Sequence, residues 1–178
     1  FNKSLKISES LKDPFGIAGV YQGFAYLFSV KGNMEKALQF YIKARELFLE
    51  IKNIRELYVT EQNIAIILAN KCLFREAEKY YLISLERMEK ASNPYDIVLG
   101  KLNYSTMLLN LKRIKESKKL LEDALLISEK INYSLALSYI YSNLAIIKFI
   151  NKEENYEEFM ERSIFYARGI PIHEEYII

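Results

Sequence analysis

The chain has 178 residues, enough for one ordinary domain or one run of repeats. Hydrophobic residues make up 51% and charged residues 27% of it, a balance that is typical of a folded protein and excludes a disordered one. The 25 Lys and Arg residues against 23 Asp and Glu residues give a net charge of +2, so the charge offers no reason to expect nucleic acid as a partner.

Cysteine and hydropathy narrow the cellular setting. Cys72 is the only cysteine, which excludes an intrachain disulfide and favours a reducing compartment, so we expect a cytoplasmic protein. No apolar stretch approaches the ~20 residues that a membrane span needs, so we expect no membrane partner. The chain begins with Phe1 and has no signal-peptide pattern, and we expect it to be a fragment of a longer protein.

The predicted elements are helices throughout, because glycine and proline are scarce, at 6 and 3 residues. Residues 1–12 are predicted to end a helix that belongs to a preceding repeat. The following helices alternate between two kinds, separated by turn signals such as Gly32-Asn33 and Ser92-Asn93-Pro94. First helices are predicted at 15–31, 55–71, 95–111 and 135–150. Second helices are predicted at 34–52, 74–91, 114–131 and 154–169.

A period of 40 residues connects these helices. The small residue Ala37 recurs as Ala77 and Ser117, and Tyr41 recurs as Tyr81 and Leu121. Positions seven residues apart share one helix face, so the small residues are predicted to let a second helix approach its partner closely. A fixed period of this length indicates a solenoid of repeats.

The repeated columns resemble the tetratricopeptide repeat (TPR), whose signature is W-x2-L-G-x2-Y followed by A-x3-F. The residues that carry the resemblance are Tyr21, Phe24, Ala25, Phe28, Ala37 and Tyr41 in the first unit, Ile64, Ala65, Leu68, Ala77 and Tyr81 in the second, Tyr104, Ser105, Leu108, Ser117 and Leu121 in the third, and Tyr141, Leu144 and Ala145 in the fourth. The usual period is about 34 residues. Units with a longer period, similar to this one, occur in kinesin light chains and in Gram-positive peptide-pheromone receptors.

The resemblance implies an all-α fold, an α-α superhelix in which antiparallel helix pairs form one right-handed solenoid over residues 1–178. The predicted boundaries are 1–13 for the end of a preceding repeat, 14–53, 54–93, 94–133 and 134–171 for repeats one to four, and 172–178 for a tail or the start of a further repeat. In the tail, Tyr176, Ile177 and Ile178 are predicted to pack on the last repeat or on another molecule, because their apolar side chains would be costly in water.

Clusters of charged residues are better explained by solvation than by chemistry. The only basic cluster comprises Lys112, Arg113, Lys115, Lys118 and Lys119, and it has no counterpart in neighbouring repeats. The acidic cluster of Glu153, Glu154, Glu157 and Glu158 opens a helix, where carboxylates favour the helix dipole. His173 is the only histidine. We therefore predict no enzyme activity, no metal and no cofactor.

The strongest functional signal is a column of asparagines, Asn63, Asn103 and Asn143, which lie 40 residues apart inside first helices. Asparagine is a poor helix residue, so a repeated asparagine suggests a role for the amide. An amide offers a donor and an acceptor, which matches a peptide backbone. Two interpretations stay open: the amides hold a ligand backbone, or they bond to an adjacent helix. The first unit has Gly23 in this column.

The resemblance implies that first helices line a concave groove. The predicted groove residues are neutral, and their amide and apolar side chains do not suit the acidic C-termini of chaperones that basic TPR grooves hold. They are Gln22, Tyr26, Gln62, Asn63, Ile66, Asn70, Asn103, Thr106, Asn110, Tyr139, Ser142 and Asn143, with Leu102 and Ile146 beside them.

The predicted function is a non-catalytic scaffold that binds a protein or an extended peptide segment in this groove. The alternative is a peptide-sensing regulatory domain of a larger bacterial signalling or transcription-regulating protein. A third hypothesis is self-association through the exposed end of the terminal repeat.

Overall fold

The computed structural model describes residues 2–168, and within this range the chain forms nine helices and no strand. The helices are α1 (Asn2–Ser10), α2 (Pro14–Val30), α3 (Met34–Glu50), α4 (Ile54–Asn70), α5 (Phe74–Ala91), α6 (Pro94–Asn110), α7 (Ile114–Lys130), α8 (Ser134–Ile150) and α9 (Tyr156–Arg168). Every predicted helix is present, with ends that differ by at most two residues within the described range. The all-α prediction is therefore confirmed. The predictions for His173, Tyr176, Ile177 and Ile178 lie outside the described residues.

The helices end at a fixed spacing of 20 residues, half the period found in the sequence. A residue with positive φ follows every helix from α1 to α8. Only Gly32 among them is a glycine. These residues are Lys12, Gly32, Lys52, Cys72, Ser92, Lys112, Asn132 and Lys152. Since positive φ crowds the Cβ atom of other residue types, the helix ends are fixed by the fold and not by glycine.

Paired backbone hydrogen bonds hold these turns. After α2, the Asn33 N–H donates to the Phe28 carbonyl at 2.8 Å and the Gly32 N–H donates to the Ser29 carbonyl at 2.9 Å. These two bonds form the Schellman motif, which satisfies carbonyls that a helix end leaves open. After α6, Arg113 N–H donates to the Leu108 carbonyl in the same way at 2.9 Å.

Asparagine side chains start several of the next helices. The Asn33 and Asn53 side-chain oxygens each accept a hydrogen bond at 3.1 Å from the backbone N–H three residues later. Asn93 accepts from the Tyr95 N–H at 3.1 Å, and Pro94 follows it at the first helical position. Both devices are typical of helix starts.

The described residues belong to two compact units, which divide after Ser92. In the first unit, α2 packs on α3, α3 on α4, and α4 on α5, while α1 packs on α2. In the second unit, α6 packs on α7, α7 on α8, and α8 on α9, and the first helices α6 and α8 also pack on each other. Short turns between extensively packed neighbours make these antiparallel helix pairs.

The small residues lie where the helices approach most closely, as the sequence predicts. Ala37, Ala77 and Ser117 are each 0% exposed, and Tyr41 and Tyr81 beside them are 5% and 2% exposed. The Ser117 hydroxyl also donates to the Ser105 carbonyl at 2.9 Å, so its polar atom is satisfied inside the helix pair.

The left-handed turns generate a paired test. Lys112→Gly should raise the free energy of unfolding by about 1 kcal/mol, because glycine adopts positive φ without steric cost. The matched control is Lys119→Gly, inside α7 at an exposed position, where glycine should lower the free energy of unfolding by about 1 kcal/mol. Urea unfolding of both variants measures this, and a loss of stability at both sites would contradict the role of the turn.

The close approach of α4 and α5 generates a second test. Ala77→Leu should destabilise the chain by ~1–3 kcal/mol, because a larger side chain overfills a tight helix pair. Ala91→Leu at the exposed end of α5 is the control. A thermal melt in which both variants match the unchanged chain would show that Ala77 does not set the helix spacing.

Candidate functional site

Charged clusters in the described residues form ion pairs on the surface. Arg113 binds Glu116 at 2.6 Å in the basic cluster, and Lys118 lies 4.0 Å from Glu122. In the acidic cluster, the hydrogen bond from Lys148 holds the pKa of Glu153 below its usual range. A general acid needs the opposite shift. Within residues 2–168, no group of three or more His, Cys, Asp or Glu residues could hold a metal ion.

The membrane prediction has a structural counterpart. Among the described helices, none is both long enough and apolar enough to cross a bilayer.

The outward side of each first helix carries residues that recur every 40 positions, and we call this side the first-helix face. In the first unit it includes Tyr26 of α2, which is 62% exposed, and Asn63, Ile66 and Asn70 of α4. Asn63 and Ile66 are partly exposed and Asn70 is exposed. The α2 part is low-relief at Gly19, where an added Cβ atom would meet nothing within 4 Å.

In the second unit, α6 and α8 lie side by side and present matching columns. Asn103 of α6 is partly exposed, and Thr106 and Asn110 continue the face toward the end of that helix. The Thr106 hydroxyl donates to the Leu102 carbonyl at 3.0 Å, so it is already satisfied. In α8, Tyr139 is 57% and Ile146 is 43% exposed.

Asn143 and Ser142 lie between these two apolar side chains and are both partly exposed. The surface around the asparagine is therefore apolar on both sides along α8. Leu102, the residue before Asn103, is 7% exposed and belongs to the core of this unit.

The asparagine column is the part of the face with unused hydrogen-bonding capacity. Asn63, Asn103 and Asn143 are all partly exposed. Among residues 2–168, the side-chain amides of these three make no hydrogen bond to another described residue. The bonds to an adjacent helix that one interpretation required are not formed in this part of the chain, which supports an amide directed to a partner.

Two predicted groove residues instead join helices. Gln62 is 5% exposed and its amide nitrogen donates to the Ser84 hydroxyl at 2.8 Å. Gln22 donates to the Thr60 hydroxyl at 2.8 Å, which connects α2 to α4. Each residue along a helix rotates by about 100°, so a position next to the asparagine column already faces a neighbouring helix. We therefore exclude Gln62 from the surface, and Gln22 has one donor engaged.

The sequence reasoning missed a buried ion triad beside the face. Glu61 of α4 is 0% exposed and lies between Arg45 of α3 and Arg87 of α5. Arg45 Nε donates to Glu61 Oε1 at 3.0 Å. Arg87 Nε lies 3.0 Å from Glu61 Oε2, although its N–H is not directed at that oxygen. The only sequence signal was a single carboxylate inside an otherwise apolar stretch of α4.

Comparison with solved structures finds similar folds. BtubC (BKLC) from P. vanneervenii matches 88% of this chain with a TM-score of 0.79 and 21% sequence identity. Rap protein, solved in complex with Competence and Sporulation Factor, matches 94% of the chain with a TM-score of 0.74 and 19% identity. The chain spans 65% of the BtubC chain and 46% of the Rap chain. No protein-family model and no curated protein matches the sequence.

At these identities the likeness establishes the fold alone. Both similar structures are helical-repeat solenoids, and the described helices of this chain pack in consecutive pairs as TPR-like units do. The fold implied by the sequence resemblance is thereby confirmed.

The ion triad generates a stability test. Glu61→Gln should lower the free energy of unfolding by ~3–5 kcal/mol, because it leaves two arginines without their carboxylate in a buried position. Glu86→Gln in α5 is the control, since Glu86 forms an exposed pair with Lys90, and exposed pairs contribute little. Equal urea midpoints for both variants would show that the triad does not stabilise α4.

Proposed function

We propose that this chain is a non-catalytic binding module whose first-helix faces hold an extended segment of a protein or peptide. The observation that carries this proposal is the column of Asn63, Asn103 and Asn143, whose partly exposed amides have no partner among the described residues. Buried or half-buried amides in proteins are normally satisfied, so three open amides at one repeat position favour a ligand as their partner.

The chemistry of the face suits a peptide backbone. A carboxamide both donates and accepts, as a peptide unit does, and it contacts that unit without reading its side chain. Exposed apolar side chains flank the amides at Tyr26, Tyr139 and Ile146. Such a surface would accept apolar side chains of the ligand, which alternate with backbone contacts along an extended segment.

The spacing within the second unit is compatible with one extended ligand. Packed helices lie about 8–10 Å apart, and an extended chain rises about 3.3 Å per residue. Asn103 of α6 and Asn143 of α8 would therefore contact backbone groups that are about three residues apart. The face carries no lysine or arginine at these positions, so we expect a neutral and not an acidic ligand segment.

The similar structures support binding as the role of this fold. Rap protein, a structure with a similar fold, is complexed with Competence and Sporulation Factor. Because the chain spans only 46% of Rap, a regulatory domain within a larger signalling protein is the second candidate. In that case ligand binding would change the scattering profile of the chain in solution, whereas a rigid scaffold would keep it unchanged. We place either role in the cytoplasm, in line with the single cysteine.

The proposal is tested by Asn103→Ala. Loss of one amide from a sheltered face should weaken the binding of peptides selected from a display library by ~1–3 kcal/mol, or roughly tenfold to a hundredfold in Kd. The melting temperature should change little, because Asn103 has no internal hydrogen bond to lose. Calorimetric titration and a thermal melt measure the two effects.

The control is Gln39→Ala on the exposed surface of α3, which removes an amide outside the first-helix face. This control should change neither the melt nor the titration. An Asn103→Ala chain that melts far below the unchanged chain yet binds normally once folded would contradict the proposal.

A further inference from the structure

Second helices share a stripe of four residues with one spacing, and α9 is an exception in its burial. The stripe is Ala37, Tyr41, Ala44 and Phe48 in α3 and Ser117, Leu121, Ala124 and Ser128 in α7, all of them 5% exposed or less. The same spacing in α9 selects Tyr156, Met160, Ser163 and Ala167. Met160 is 44% exposed, and α9 contains no buried residue.

The difference follows from the following first helix. In the first unit, Leu57 of α4 packs with Ala44 and Phe48 of α3 in one core cluster. In the second unit, Ile140 and Leu144 of α8 pack with the stripe of α7. Among residues 2–168, α9 packs on α8 and on no following first helix. We call its uncovered side the α9 face.

The α9 face is apolar at its centre and acidic around it. Ile164 is 49% exposed and lies one turn after Met160. Glu157 and Glu161 are exposed and lie on the same side of the helix, because residues three and four apart are neighbours. Such a side resembles the surface that a second helix presents to its next partner within the solenoid.

A complementary surface exists at the start of the first unit, on α2 and α3. The Phe40 ring of α3 packs against the rings of Tyr21, Phe24 and Phe28 of α2, with centroids 5.8, 5.2 and 5.6 Å away. All four side chains are only partly buried. We call them the aromatic face.

The corresponding positions of α4 are fully covered. Ile64 and Leu68 take the places of Phe24 and Phe28 and are 0% and 6% exposed. Glu61 takes the place of Tyr21 and is held by Arg45 of α3, a second helix. The aromatic face therefore has the geometry of a site for a second helix, and α1 ends at Ser10.

Charge distinguishes the two surfaces. Lys36 lies over the Phe28 ring at 5.2 Å, and Lys43 lies over the Phe40 ring at 5.5 Å. Both lysines are exposed. The aromatic face is thus bordered by cations and the α9 face by carboxylates, so the two surfaces attract each other while each repels a second copy of itself.

We propose that two copies of this chain associate head to tail, with α9 of one copy packed on the aromatic face of the other. The α9 helix takes the position on α2 that α3 takes on α4, so Met160 and Ile164 cover the aromatic rings and the glutamates meet the lysines. Because the two surfaces differ, the contact is heterologous and leaves one face of each kind open for further copies. One helix buries a modest area, so association is weak and depends on concentration.

Sedimentation velocity from about 10 μM to about 1 mM should show association that grows with concentration. Ile164→Asp should lower the association constant about tenfold or more, because it places a charge at the centre of the contact. Leu126→Asp in α7 is the matched control, since Leu126 is 60% exposed on a different helix, and it should associate like the unchanged chain. Circular dichroism confirms that each variant is folded.

A mixing experiment separates this contact from a symmetric one. The double variant Lys36→Glu with Lys43→Glu reverses the charge of the aromatic face and leaves α9 intact, whereas Ile164→Asp does the opposite. Each variant alone should be monomeric, and their mixture should form a one-to-one dimer that grows no further. A mixture that stays monomeric, or an unchanged chain that is monomeric over the whole range, overturns the proposal. Such a monomer would also leave the binding of peptides to the first-helix faces unaffected, so the two proposals can fail separately.

Discussion

The fixed helix length is the constraint on which the other features depend. A left-handed residue stands every 20 positions, and paired backbone hydrogen bonds around it end each helix at the same point. Equal helix lengths keep the buried stripes in phase, so Ala37, Ala77 and Ser117 all meet their partner helices at the same height. The column of exposed asparagines exists for the same reason. A single extra residue in a helix would rotate the following side chains by about 100° and move them to another face.

The sequence predicts the helices and their order well because two independent signals agree. Turn residues such as Asn53 and Asn93 mark the boundaries, and the small-residue columns mark the packed faces. The 20-residue spacing of the turns is hidden, because Lys52, Cys72 and Lys112 share a backbone conformation and not a residue type. Patterns of residue identity do not reveal a conformation that the surrounding fold imposes on unfavourable residues.

The site is predictable only in part, and the reason is angular. Asn63 and Gln62 are neighbours with similar chemistry, yet one amide is open and the other is bonded to Ser84. Which of them faces a neighbouring helix depends on packing angles that the sequence does not contain. The ion triad around Glu61 is hidden for a related reason, since Arg45 and Arg87 come from two other helices and converge only in the folded unit.

The two proposed surfaces share α2 without competing for it. Tyr26 belongs to the first-helix face, whereas Phe24 and Phe28 belong to the aromatic face. Each lies two residues from Tyr26, which places it roughly 200° around the helix. A ligand on the first-helix face therefore approaches α2 from one side and a second copy approaches it from the other. The polar links of Gln22 to Thr60 and of Glu61 to Arg45 lie between these sides. They hold α2, α3 and α4 together, so a segment bound on one side meets a framework that the contact on the other side also uses.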